Sequence, residues 1–213
     1  KPLNQFKAKA NPATHNPPMT NPLGPPPLTA PRLRGDLAVW LVICAELLTF
    51  ALLFIAFGVM RLRQPAVFAQ SQATLDLHSG AINTVLLISG SACVAHAVQR
   101  ARAAQSTLAA RWLIAALACG MGFLVIKSLE YANKFAAGID LETNTFWMFY
   151  LFLTGFHFLH VAAAMVMLAL LWAPTRRGAY SQGNAHSLET GAAFWHMVDL
   201  LWIVLFPLVY VMR

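Results

Sequence analysis

The chain has 213 residues, 58% hydrophobic and only 11% charged, where soluble domains carry roughly 25% charge. That deficit, with its long apolar runs, excludes an ordinary soluble domain and indicates an integral membrane protein. The net charge of +7 does not point to nucleic acid, because the basic residues lie in a tail and in short loops between apolar spans, as the positive-inside rule produces.

Residues 1–35 hold nine of the twelve prolines and show almost no apolar periodicity. Such a stretch cannot bury enough surface to offset its ordering entropy, which predicts an extended or disordered tail of the wrong composition for a secretory signal. Residues 36–213 predict an all-α membrane domain of five transmembrane helices.

The first helix covers about 37–60, with Asp36 as N-cap and Pro65 just beyond its end. It carries Glu46 near its middle and no basic residue, so any partner comes from another helix, a water or a lipid. Glu46 reads either as a proton site or anchor for another component, or as a carboxylic acid hydrogen-bonded within the bundle. The second helix, about 81–99, contributes Asn83, Thr84, Ser89, Ser91 and His96, small and polar groups that favour close approach and cross-helix hydrogen bonds. The third, about 108–131, offers a close-packing surface at Gly120 and Gly122. Near its outer end Lys127 and Glu130 share a face, which predicts an interfacial ion pair with Lys127 snorkelling towards water.

The fourth helix, about 146–173, is long enough to tilt, and Pro174 lies just beyond it. His157 and His160 are spaced i, i+3, which aims both rings to one side. Without Glu-x-x-His or HExxH they predict hydrogen bonds to Ser, Thr or acidic groups on neighbouring helices in preference to a metal site. The fifth helix, about 190–212, contains FWHMVDLLW, with Trp195, Asp199 and Trp202 on one stripe, a local His196–Asp199 unit, Glu189 just before it, and Pro207 as an interruption. Cys44, Cys93 and Cys119 lack CxxC spacing and read as small buried hydrophobes. Arg32, Arg34, Arg100, Arg102, Arg111, Arg176 and Arg177 fall on one side, against Arg61, Arg63, Lys134 and Arg213, which predicts a cytoplasmic N-terminus and an outer, periplasmic C-terminus.

NTVLLISGS, SLEY, LTGFHFLHV and ETGAAFWHMVDLLW occur in an order and spacing that resembles subunit III of the haem-copper oxidases, across roughly residues 36–213. The resemblance implies a five-helix form lacking the first two helices of larger members. LDLHSGAINTVLL and the ending VDLLWIVLFPLVYVMR look most like the NorE-type accessory protein of nitric oxide reductase, with subunit III of a terminal cytochrome c or quinol oxidase as the alternative. The family implies a bacterial inner-membrane subunit with no catalytic centre, supporting assembly, sustained turnover and proton uptake by its partner. Phospholipid would sit in a cleft between helices, and haem with copper or non-haem iron in a partner subunit. Glu46 falls where members carry a carbodiimide-reactive carboxyl, and Glu130, His157, His160, Glu189, Trp195, His196, Asp199 and Trp202 match family motifs. Glu46, Glu130, His157, His160, His196 and Asp199 are thereby intramembrane polar or proton-linked candidates. Trp195, Trp202, Glu189 and Asn83 are lipid or helix-packing candidates. Two readings from other classes are an independent proton or ion transporter, disfavoured by the lack of repeats and broken helices, and a small enzyme using iron or copper at the histidine pairs.

Overall fold

The computed structural model describes residues 37–180 and 185–212. The tail, the expected Asp36 cap, Arg32, Arg34 and Arg213 lie outside them. Among the described residues six α-helices succeed one another: α1 (Leu37–Arg63), α2 (Pro65–Gln72), α3 (Leu77–Arg102), α4 (Ser106–Ala136), α5 (Thr145–Arg176) and α6 (His186–Phe206), with a π-helical turn over Pro207–Val211. Five are long and apolar enough to cross a membrane, α6 together with the π turn making the fifth. The chain is a multi-pass membrane protein.

Local chemistry sets the boundaries. Pro65 opens α2 at a position where its missing N–H is no loss. This short helix was not anticipated, because Pro65 reads equally well as a stop and a start. Asp76 caps α3 by accepting from His78 N at 2.9 Å, and Asn144 caps α5 by accepting from Trp147 N at 3.0 Å. Past the end of α4, Gly138 takes φ +75° while Ile139 N donates back to Lys134 O, closing orphan carbonyls as a left-handed glycine permits.

Three expectations at helix ends need correction. Pro174 lies inside α5, where so near the C-terminus one lost amide bond is tolerated. Glu189 belongs to the first turn of α6, not to the loop before it. Pro207 does more than kink the last helix. Lacking an N–H, it ends the α-helical ladder, and the turn widens until Met212 N reaches Pro207 O at 2.9 Å. The buried Gln72 amide donates to Val209 O at 2.9 Å, so α2 satisfies a carbonyl of the widened turn, as apolar surroundings require.

The core lies among α3, α4, α5 and α6, and small residues let it close. A Cβ at Gly120 would sit 2.9 Å from the Trp195 ring, and one at Gly90 would sit 3.0 Å from it, so both glycines make room for that indole. Helix α1 is peripheral, with only Ile43, Phe50 and Phe57 buried. Phe50 packs on Phe156, and Phe57 on Phe68, Phe146 and Phe149. The cysteines are all free, but none is fully buried as expected: Cys44 is exposed on this peripheral helix, and Cys93 and Cys119 are half-buried.

Candidate functional site

The polar side chains within the spans separate into distinct groups. The largest lies toward the C-terminal end of α4. Lys127 is fully buried and directs its ammonium to Glu130 Oε2 at 3.1 Å, Tyr150 Oη at 3.0 Å and Tyr210 Oη at 2.6 Å. An ammonium has three donors, and all three are used. Both tyrosine hydroxyls donate in turn to Glu130 Oε1. Four aromatic rings, of Tyr131, Tyr150, Trp202 and Tyr210, lie 4.8–5.7 Å from the same nitrogen. This corrects the expectation of a snorkelling lysine: inward-facing tyrosines from α5 and the π turn complete its hydrogen bonds, so it need not reach water. Beside it Tyr131 donates to Thr154 Oγ1 at 2.9 Å, and Thr154 donates to Tyr150 O at 2.6 Å.

The second group joins α1 to α5. Glu46 Oε2 stands 3.1 Å from His160 Nε2, and His160 Nδ1 lies 2.8 Å from Phe156 O. His157 does not share this environment. It turns inward against Phe123 and Trp202, ring centroids 5.7 and 5.1 Å away, and among the described residues neither of its nitrogens has a hydrogen-bond partner. The two histidines therefore part, because α1 packs beside one and the α4–α6 core beside the other.

On α6, His196 Nδ1 meets Ser91 Oγ of α3 at 2.5 Å. Among the described residues no hydrogen bond joins His196 to Asp199, although the two interact electrostatically and Ser91 also serves the Asp199 carboxyl, whose Oδ1 is buried without a hydrogen-bond partner among the described residues. Trp202 Nε1 donates to Thr84 Oγ1 at 3.0 Å, while Glu189 pairs with Arg102 at 2.7 Å. Trp195, Trp202 and Asn83 are 2%, 0% and 0% exposed, which places them in helix packing and away from a lipid surface. Among the described residues no three His, Cys, Asp or Glu side chains converge.

Tyr150 and Tyr210 were missed in the sequence. Alternating topology puts both at the same level of the bundle as Lys127, and a tyrosine hydroxyl at membrane depth seeks a partner. That combination was the available signal.

A family model described as "Cytochrome c oxidase subunit III" matches residues 33–213. A protein from Synechocystis sp. named "Cytochrome c oxidase subunit 3" is 35% identical, the match covering 82% of this chain and 74% of the relative. One of the same name from Thermostichus vulcanus is 28% identical over 83% and 86%. A "Probable quinol oxidase subunit 3" from Staphylococcus saprophyticus is 26% identical over 83% and 88%.

Proposed function

Because this chain belongs to the cytochrome c oxidase subunit III family, we propose that it is a subunit of a bacterial respiratory terminal oxidase, without a redox centre of its own. Its partner is the haem- and copper-bearing membrane subunit that reduces oxygen. The observation carrying this reading is the family match across all five spans, which takes in Glu46–His160 and the Lys127 cluster. In this role both groups are internal fasteners. The first holds α1 to the bundle, the second locks α4, α5 and the π turn, and together they present a rigid face to the partner. Phospholipid in grooves between the helices belongs to the same reading, as do a cytoplasmic N-terminus and a periplasmic C-terminus.

A NorE-type accessory role beside nitric oxide reductase is the second reading, favoured by LDLHSGAINTVLL and the C-terminal VDLLWIVLFPLVYVMR. One experiment separates the two. The tagged chain is purified in mild detergent, and the co-purifying subunits are identified by mass spectrometry and optical spectrum. Haem with copper and oxygen consumption supports the terminal oxidase, the donor assay then distinguishing cytochrome c from quinol. Haem with non-haem iron and nitric oxide reduction supports the second reading. A colourless, solitary chain refutes both.

A further inference from the structure

Helices α4 and α5 border a groove of about 590 Å³ at the end where their connecting loop turns. Phe135 of α4 and Phe152, Phe156 and Leu159 of α5 line it, with the carboxylates of Asp140 and Glu142 at its loop end. The Asp140 carboxylate accepts from Thr143 Oγ1 and Glu142 N, both at 2.9 Å, which fixes it in place. Gly155 lines the same groove, and a Cβ there would meet nothing within 4 Å. Packing within the chain therefore does not call for this glycine, which weakens a helix relative to alanine. A glycine open to the outside suits the close approach of another helix.

A helix that suits this groove lies on the same molecule. Along α1, Leu41, Leu48, Ile55 and Leu62 recur every seventh residue and are exposed, with Leu52 and Val59 exposed between them. A seven-residue apolar repeat forms a seam along which a second helix packs. Within one copy α1 uses the opposite face, Phe50 and Phe57, to pack on Phe156 and Phe149, so the stripe points away from its own bundle. Exposed Arg63 ends the stripe. Among the described residues neither Arg63 nor Asp140 nor Glu142 takes part in an ion pair, the pairs being Arg102–Glu189, Lys127–Glu130 and Glu46–His160.

Depth agrees. Alternating spans put the end of α1 and the α4–α5 loop on one side of the membrane. The contacts of Phe50 with Phe156 and Phe57 with Phe149 then set Leu52 near the depth of Gly155, and Arg63 near that of Glu142. Two copies inserted in the same direction are related by an axis along the membrane normal, which keeps every residue at its own depth. Phe156 belongs both to the α1 contact and to the groove, so stripe and groove are neighbours. A two-fold axis between them seats both at once and closes the assembly at two copies.

We propose that two copies of this chain pair about such an axis, α1 of each lying in the α4–α5 groove of the other with Arg63 against Asp140 and Glu142. The apolar stripe alone would not drive this in lipid, where tails are as apolar as leucine; the close approach at Gly155 and the charges select the partner. The pairing goes beyond the oxidase reading and does not depend on it.

The test co-expresses two full-length copies with different affinity tags, extracts them in mild detergent with whatever subunits accompany them, pulls down one tag and quantifies the other. Two wild-type copies should co-purify. R63E with R63E, or E142R with E142R, brings like charges together at both ends of the dimer and should lower recovery about tenfold. R63E with E142R sets each new charge opposite its complement and should restore the wild-type level, which also shows that neither change upsets insertion. G155L fills the groove without touching a charge and should lower recovery as far, with tryptophan fluorescence of the folded chain unchanged. Wild-type copies that do not co-purify overturn the proposal and leave the groove to lipid. Recovery that neither charge variant alters overturns it too, since companion subunits would then be joining the copies, as does a mixed pair that recovers nothing.

Discussion

Removing Glu130 tests the account of the buried lysine most directly. In Glu130→Ala the ammonium of Lys127, fully shielded from solvent, keeps hydrogen bonds to Tyr150 and Tyr210 but loses the countercharge 3.1 Å away. Both tyrosine hydroxyls lose their acceptor at the same time. Breaking a buried pair in this way costs about 3–5 kcal/mol, or between two and four decades in the folding constant. The four rings around the nitrogen do not make this good, since each cation–π contact contributes roughly 0.5–2 kcal/mol and is present before and after the change. The assay is reversible unfolding of the chain in mixed micelles by a denaturing detergent, monitored by tryptophan fluorescence. Lys127→Met/Glu130→Leu should recover most of the loss, leaving about 1–3 kcal/mol for tyrosine hydroxyls without partners. If Glu130→Ala falls within about 0.5 kcal/mol of wild type, or the double variant is as unstable as the single one, the claim of an unhydrated charge held by Glu130 is wrong.

Other substitutions probe different parts of the structure. Gly120→Ala places a methyl into the Trp195 and Met165 side chains and should cost about 1–3 kcal/mol, whereas Gly58→Ala, with nothing within 4 Å, should gain about 0.5–1 kcal/mol from helix propensity; the same unfolding assay reads both, and equal effects would contradict the packing described. Glu46→Ala should loosen α1, seen as faster proteolysis at Arg61 and Arg63 and a shorter active lifetime of the assembled complex, while its haem spectrum persists; loss of that spectrum from an otherwise assembled complex would count against the fastening role. Asp76→Ala should cost about 1 kcal/mol through the lost α3 cap. Hydrogen bonds from Ser79 and the α3 backbone hold the Asp76 carboxyl below its ordinary value, so its contribution is complete above that ordinary value near pH 4 and disappears as pH falls through the lower folded value. A pH titration of stability in which Asp76→Ala and wild type stay parallel down to pH 2 would refute the cap.

The five spans were legible because hydrophobic length is a strong signal, and the Lys127–Glu130 pairing was legible because a helix brings i and i+3 together. The surroundings of a pair are set by other helices, and there the sequence fell short. His157 and His160 lie three residues apart in one apolar run, yet His160 meets Glu46 while His157 packs on Phe123 and Trp202. His196 looked able to pair with Asp199 one turn on, but Ser91 of α3 stands beside both and takes the hydrogen bond to the His196 ring. The π turn escaped because a proline announces a break and not the shape of the backbone beyond it.

The two fasteners also differ in when they can form. Lys127 and Glu130 leave the ribosome almost together, so α4 enters the membrane with its charges already matched, and the tyrosines arrive later to a pair that is already closed. Glu46 must wait for His160, made more than a hundred residues afterwards, on the order of ten seconds at ordinary rates of synthesis. During that interval α1 has to hold its place by its own apolar length, and its mean hydropathy of 2.5 is the highest of the five spans. The most lipid-like of the five spans is thus made before the other four, so its own apolar length can hold it in the bilayer while they are built beside it.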